Sequence, residues 1–208
     1  MPTGLRRFVG EPMPSAVAPP RREPPAEVCD LCGTPVLREH RHVVDLDSRR
    51  LLCSCVACGL LFTRPGAAGG HYRTVPDRWL ATSVSEQQWE RLQVPVGMAF
   101  FFHNSVLDSV VAHYPSPAGA TESLLDLAGW DDLVADNPVA ASLQPDVEAL
   151  LVRRERDATI EAYLVPIDAC YELVGRLRLH WTGFDGGTEA RRDIADFFVR
   201  ARDRSGRG

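Results

Sequence analysis

Hydrophobic residues in the second half of the chain follow two different spacings, and each spacing predicts a different kind of element. Apolar runs occur at residues 96–103 and 109–114, and runs rich in β-forming residues occur at residues 146–154 and 159–166. Each run has the length of a strand, and a short polar segment separates the two members of each pair. This arrangement predicts two antiparallel hairpins.

The spacing changes to three and four residues at the end of the second hairpin, which predicts a helix with Asp168 as its N-cap. The apolar positions of this helix are Ile167, Cys170, Tyr171, Val174, Leu177 and Trp181. A last helix is predicted after Thr188. Its inner face is expected to consist of Ile194, Phe197, Phe198 and Ala201.

Two shorter helices are predicted ahead of these elements. Residues 83–93 form the first, with Ser83 and Glu86 as a capping box. Residues 129–138 form the second, which Pro138 should end. The sum is an α+β domain over residues 82–204, built on a mostly antiparallel sheet with the C-terminal helices on one face.

The remaining segments are poor in apolar periodicity. Residues 1–27 are rich in proline and are predicted to be a disordered tail. Residues 64–81 contain several glycine, proline and alanine residues and are predicted to be a linker or long loop. Residues 115–123 are predicted to be a second loop, of the kind that often carries function.

Cysteines are concentrated in residues 28–63, where two Cys-x2-Cys pairs are each followed by glycine. These four cysteines are Cys29, Cys32, Cys55 and Cys58. Two residues between cysteines bring both sulfurs to one side of a tight turn, and the glycine after each pair is predicted to adopt the positive φ that the turn needs. The intervening β-like runs, with Asp47-Ser48 as their turn, return the chain to its start. The pattern predicts a small four-cysteine zinc-ribbon β-hairpin module, whose metal supplies folding free energy that so short a segment lacks.

Three further residues near this site are possible alternative ligands. Cys53 could replace a ligand, act as a reactive thiol beside the metal, or be a small buried residue. His40 and His42 lie on one side of a strand and could replace a cysteine, donate to ligand sulfurs, or simply be solvated. The knuckles read CDLC and CVAC, without the proline and the aromatic core usual in rubredoxins, which favours zinc and leaves iron as the alternative.

Composition narrows the function further. The 208 residues carry a net charge of −5, which disfavours a nucleic-acid binder. The chain contains no lysine, which excludes lysine Schiff-base chemistry and a Walker A loop. No apolar run is long enough for a membrane span and no secretory signal is visible, so a cytoplasmic location is expected. No catalytic constellation stands out, and the enzyme alternative rests on the region of Cys170, a residue predicted to be structural.

Several stretches together resemble a known family. They include RRFVGEP, CDLCG, EHRHVVDL, RRLLCSCVACGLLF, VPVGMAFFF, YPSPAGATES, DVEALLV and LVPIDACYELVG. The chain resembles, over nearly its whole length, a bacterial family described as a domain of unknown function, which we associate with genes of actinobacterial high-affinity [NiFe]-hydrogenases.

The resemblance implies a role in assembly or maturation of a [NiFe]-hydrogenase. Together with the closed four-cysteine site and the lack of a catalytic constellation, it favours a non-catalytic accessory protein. Its partner would be a hydrogenase subunit or a maturation factor. The alternatives are a rubredoxin-like one-electron carrier with iron in the four-cysteine site, or an enzyme that uses the Cys170 region.

Overall fold

The computed structural model describes residues 27–116, 119–122, 129–155, 157–183 and 186–206. The strands are β1 (Arg41–Asp45), β2 (Arg50–Ser54), β3 (Tyr72–Thr74), β4 (Leu80–Thr82), β5 (Met98–Asn104), β6 (Ser109–Ser116), β7 (Gly119–Glu122), β8 (Glu148–Arg154) and β9 (Ile160–Pro166). The helices are α1 (Val56–Leu61), α2 (Glu86–Arg91), α3 (Trp130–Asp136), α4 (Pro138–Ala141), α5 (Ile167–His180) and α6 (Gly187–Ser205). The predicted proline-rich tail lies outside these residues, apart from its last position.

The larger sheet has six strands in the order β4-β9-β8-β5-β6-β7, and every neighbouring pair is antiparallel. Hairpins β5–β6 and β8–β9 are the two that the apolar runs predicted. They join through β5 and β8, whose register pairs Phe100 with Leu151 and Phe101 with Leu150. The predicted α+β class is therefore confirmed, with the sheet antiparallel throughout the described residues.

Side chains of the central strands alternate between two separate cores. On β5, Phe100 and Phe102 belong to one core, whereas Ala99 and Phe101 belong to the other. This follows from the two-residue period of a strand, and it explains why the runs are continuously apolar: both faces of the sheet are buried.

Helices cover both faces. Helices α5 and α6 contribute Val174, Leu177 and Phe198 to the first core, as the sequence predicted for the C-terminal helices. The short helices α2, α3 and α4 contribute to the second core, through residues that include Trp89 and Leu133. The sequence predicted short helices here but not that they form a second layer.

The predicted helix caps are wrong in three places. The capping box of α2 joins Ser85 to Gln88, two residues after the predicted pair. Helix α5 begins after Pro166, and α6 begins after Gly186, which has a left-handed backbone (φ 85°). Asp168 is instead the second residue of α5, where its carboxylate is available for another contact.

Three segments predicted as loop or helix end contain regular structure. Two strands, β3 and β4, form at least partly within the predicted linker of residues 64–81, and β7 forms within the predicted loop of residues 115–123. Pro138 does not simply end a helix, because it is the first residue of α4, with Asn137 as the N-cap. Proline suits that position because the first turn of a helix needs no N–H donor there.

The smaller sheet has the order β2-β1-β3, and it packs against the larger one. Val44 of β1 belongs to the first core of the α+β domain, and Leu46 and Leu51 pack against it. The Arg73 guanidinium of β3 donates to the Pro145 carbonyl at 2.7 Å. The cysteine-bearing segment therefore shares a hydrophobic core with the rest of the protein.

Candidate metal centre

The first cysteine pair lies in a tight turn that its backbone hydrogen bonds define. Cys29 N–H donates to the Thr34 carbonyl and Gly33 N–H donates to the Cys29 carbonyl, both at 2.8 Å. Gly33 has a φ of 74°, in the left-handed region that a glycine adopts without steric cost. This confirms the role predicted for the glycine after the first pair.

The second pair lies at the start of α1. Cys55 is the N-cap of this helix, and its sulfur accepts from the Cys58 N–H at 3.4 Å. Gly59 is helical, so the positive φ predicted for it is wrong. A side chain there would instead meet Arg41 Cδ and Ser54 Oγ at 3.2 Å, so the absence of a Cβ permits close packing of α1 on the hairpin.

The β1–β2 hairpin carries the second pair back to the first. Asp45 Oδ1 accepts from the Asp47 and Ser48 N–H groups at 3.1 Å each, which forms the turn between the strands. Asp30 N–H then donates to the Cys53 carbonyl at 2.9 Å, and the Cys53 N–H donates to Asp30 Oδ2 at 2.6 Å. These two bonds fix the first turn beside β2.

The four sulfurs of Cys29, Cys32, Cys55 and Cys58 all lie within 4.8 Å of one another. Four sulfurs bound tetrahedrally at about 2.3 Å from one ion lie about 3.8 Å apart. The Cys32 and Cys55 sulfurs are separated by 3.8 Å. The residues present therefore fit a single tetrahedral ion, and the cluster can hold one metal ion.

The environment of the cluster divides the thiols into easily and poorly ionised groups. The side chain and N–H of Thr34 lower the pKa of Cys32 to about 6, with help from the neighbouring cysteines. Hydrogen bonds from the other sulfurs, Cys32 first, raise the pKa of Cys58 to about 12. Burial opposes ionisation of Cys29, but backbone N–H groups outweigh it and lower its pKa. A cation offsets the repulsion that keeps the remaining thiols protonated.

The three possible alternative ligands do not belong to this four-sulfur cluster. His40, His42 and Cys53 form a group of their own, in which the ligand atoms also lie within 4.8 Å of one another. Burial and the charges of Asp30, Glu27 and Cys29 raise the pKa of Cys53.

Asp168 was missed as a partner of this group. Its Oδ2 lies 2.8 Å from His42 Nδ1, although 126 residues separate the two in the chain. The sequence offers no local signal for a contact of this kind, because the predicted role of Asp168 as an N-cap already explained the residue.

The Cys170 thiol lies in the first core and is almost fully buried. Burial raises its pKa well above the usual value, so this cysteine carries the neutral thiol. Since a nucleophilic cysteine needs a depressed pKa or an adjacent base, its surroundings match the structural role that the sequence predicted.

A cleft of about 360 Å³ lies between the ribbon and the larger sheet. Arg49 and Leu51 line one side, and His113, Glu122 and Tyr171 line the other. The His113 ring stacks against Phe100 and Phe102, at centroid distances of 5.4 and 5.3 Å. Burial lowers the pKa of His113, with Glu122 opposing, so the ring is neutral near pH 7.

Apolar side chains are unusually exposed around the cysteine pairs. On α1, the exposed fractions are 63% for Val56, 56% for Leu60 and 65% for Leu61. Leu37, between the first pair and β1, is 81% exposed. Since Val56 and Leu60 are four residues apart, they lie on the same helix face.

No helix among the described residues is both long enough and apolar enough to cross a membrane. Comparison with known proteins finds no match among curated proteins and none among solved structures. Residues 28–205 match a family described only as a family of unknown function, and this span covers the cysteine pairs and every strand and helix above. The chain therefore belongs to the Family of unknown function (DUF5947).

Proposed function

We propose that this protein is a non-catalytic, metal-binding accessory protein whose ribbon docks on a protein partner. The observation that carries the proposal is the position of the exposed apolar face of α1. Helix α1 begins immediately after the proposed ligand Cys55 and contains the proposed ligand Cys58. The ion would hold the docking helix against the hairpin.

A closed metal centre supports a structural role. Four thiolates complete a tetrahedron and leave no position for water or substrate, which is the arrangement of structural zinc sites. We assign zinc to this centre because the sequence lacks the features that accompany iron in rubredoxin-like sites.

The exposed apolar residues support a protein partner. Contiguous apolar surface on a protein costs solvation free energy, and interface cores are enriched in such side chains relative to charged ones. Val56, Leu60 and Leu61 would become buried on docking, and the apolar area that they remove from water would favour the complex.

The identity of the partner rests on the family resemblance alone. We propose a [NiFe]-hydrogenase subunit or a hydrogenase maturation factor, in a cytoplasmic complex. No membrane-spanning helix occurs in the described residues. The proposed docking surface for this partner belongs to the ribbon.

Native co-purification tests this function. The tagged full chain should retain hydrogenase subunits or maturation factors, and a strain that lacks the protein should accumulate incompletely processed hydrogenase. Replacing Val56 and Leu60 together by serine should abolish retention, because both substitutions remove apolar contact area from one helix face. Leu179→Ser is the matched control, since Leu179 is 81% exposed on α5.

Equal retention by the Val56/Leu60 variant and the wild type would contradict the docking surface. Full processing and activity of hydrogenase in the deletion strain would contradict the proposed process. Metal analysis of the same purified sample tests the metal: a colourless protein with zinc supports the structural centre, whereas a red iron-thiolate protein supports the one-electron carrier.

A further inference from the structure

A second set of metal-ligating side chains lies on the hairpin, beside the four-sulfur centre. We propose that His40, His42 and Cys53 form a separate site for a divalent transition-metal ion of the zinc class. Unlike the four-sulfur centre, this site supplies three protein ligands and leaves one coordination position open.

The hairpin register brings the three side chains together. His42 of β1 is paired directly with Cys53 of β2. His40 is two residues before His42, and the two imidazole rings have centroids 4.7 Å apart. All three ligand atoms lie within 4.8 Å of one another, a separation that a single ion can span.

His40 offers a nitrogen that nothing else uses. Its Nδ1 donates to the Leu37 carbonyl at 2.8 Å, with Glu27 Oε2 farther away at 3.6 Å. A carbonyl can only accept, so Nδ1 carries the proton and Nε2 has a free lone pair. The side chain is only 8% exposed, and Nε2 is buried without a hydrogen-bond partner in the part of the chain that the structure describes.

A buried acceptor without a partner is uncommon in a folded protein, since it loses its bonds to water and gains nothing in return. A metal ion bound at Nε2 of His40 removes this deficit.

His42 is oriented by a carboxylate. Its Nδ1 lies 2.8 Å from Asp168 Oδ2, and the other oxygen of Asp168 accepts from the Ala169 N–H at 2.8 Å. With its proton on Nδ1, the neutral imidazole presents the lone pair of Nε2. Metal-bound histidines almost always donate their other N–H to a carboxylate or a backbone carbonyl. His42 contacts the carboxylate of Asp168, and His40 contacts the backbone carbonyl of Leu37.

Cys53 supplies the single anionic ligand. Its backbone is fixed by the hydrogen bond from its N–H to Asp30 Oδ2. Two imidazoles and one thiolate combine two kinds of donor that both occur in zinc sites, which suits an ion of the zinc class. Three protein ligands leave the fourth tetrahedral position for water or for a group from a bound molecule.

Metal stoichiometry of the full chain tests the site. Metal-free protein titrated with Zn²⁺ should bind about two equivalents, one at each group of ligands. Cys53→Ser and His40→Ala should each retain only the first equivalent. With Co²⁺, the absorption that develops second should show a weaker sulfur charge-transfer band per ion, because only one thiolate contributes.

His71→Ala is the matched control, since this exposed histidine pairs with Asp47 outside both groups. It should retain both equivalents. Binding of a single equivalent by the wild type would overturn the proposal, as would two equivalents in both Cys53→Ser and His40→Ala.

Loss of both equivalents in His40→Ala leaves the decision to Cys53→Ser, which replaces one sulfur by oxygen. One retained equivalent in that variant supports a separate site. Loss of both there would make Cys53 part of the four-sulfur centre and overturn the inference.

Discussion

The cysteines show how far single residues reveal their role through sequence alone. Cys29 and Cys32, like the second pair, are close in sequence, so their spacing predicted that their sulfurs would meet. The contact between His42 and Asp168 could not be predicted, because it depends on how the ribbon packs against α5. Local spacing predicts which cysteines come together, whereas only the tertiary fold shows that Asp168 contacts and orients His42.

Gly33→Ala should destabilise the protein by about 1 kcal/mol, because the left-handed backbone at φ 74° is unfavourable for a residue with a Cβ. Gly175→Ala is the control of opposite sign. Gly175 lies within α5 and a Cβ there meets nothing within 4 Å, so alanine should stabilise by about 0.5–1 kcal/mol. Urea unfolding of both metal-loaded variants measures the difference, and equal effects would contradict this role of Gly33.

His180 should make stability depend on pH. Its Nδ1 lies 2.6 Å from Asp193 Oδ2, and this bond raises the pKa of His180, with Glu189 adding and Arg176 opposing. A raised pKa in the folded state means that the contribution is complete below the unfolded pKa and is lost as pH rises through the folded pKa. His180→Gln should therefore reduce the melting temperature at about pH 5.5 but not at about pH 9.

Thermal unfolding across this pH range provides the measurement for His180→Gln. A loss of stability that is independent of pH would indicate that packing, rather than the charge pair with Asp193, explains the effect.

Among the elements, the strands were predicted more reliably than the segments between them. Runs such as residues 96–103 are almost continuously apolar, and that signal survives because both sheet faces are covered. Strands β3 and β4 have only three residues each, and β3 is held by pairing with β1. Such short edge strands are stabilised by pairing with the neighbouring strand, and their own sequence therefore predicts a loop.

The segment before β4 is held by a buried ion pair. Arg78 donates to both carboxylate oxygens of Glu148, at 2.7 and 2.6 Å, and Gln144 N–H donates to the same carboxylate at 2.8 Å. Glu148 is completely buried at the start of β8, while the Arg78 side chain is 32% exposed. The pair is therefore asymmetric: the carboxylate depends on the guanidinium for its charge partner.

Arg78→Leu should destabilise the protein by about 3 kcal/mol, because it leaves the Glu148 carboxylate buried without a charged partner. Glu148→Gln should cost less, since Arg78 remains partly solvated. The double variant Arg78→Leu/Glu148→Gln should recover part of the loss, because it leaves no unpaired charge buried. Chemical denaturation in a double-mutant cycle measures these values, and additive losses would contradict the pairing.

For the whole molecule, the two sheets form one structure through a shared core. Val44 of the ribbon is buried with residues of α5 and the larger sheet, and Leu51 packs against them. The sequence predicted two modules joined by a linker. Their common core could not be predicted. The ribbon strands that contribute to it have the same short alternation of apolar and polar residues as the strands of an isolated hairpin.

Metal removal should unfold the ribbon locally while the larger sheet persists. In a chelator-treated sample, amide hydrogen exchange should accelerate across residues 28–63 and remain slow in β5, β8 and β9, whose side chains fill both cores. The melting temperature should also fall, since Val44 leaves the shared core. Loss of protection throughout the chain would contradict the independence of the larger sheet.

The cleft between the sheets is built partly from β1 and β2, the strands of the hairpin that brings the two cysteine pairs together. Its shape consequently exists only while the hairpin stays folded. If an ion at the four cysteines holds this hairpin together, a small molecule in the cleft must strengthen retention of that ion by the same factor by which the ion strengthens binding of the molecule, because the two equilibria form a closed thermodynamic cycle. Screening for compounds that raise the equilibrium affinity for the ion would thus select candidate occupants of this cleft without any assay of activity.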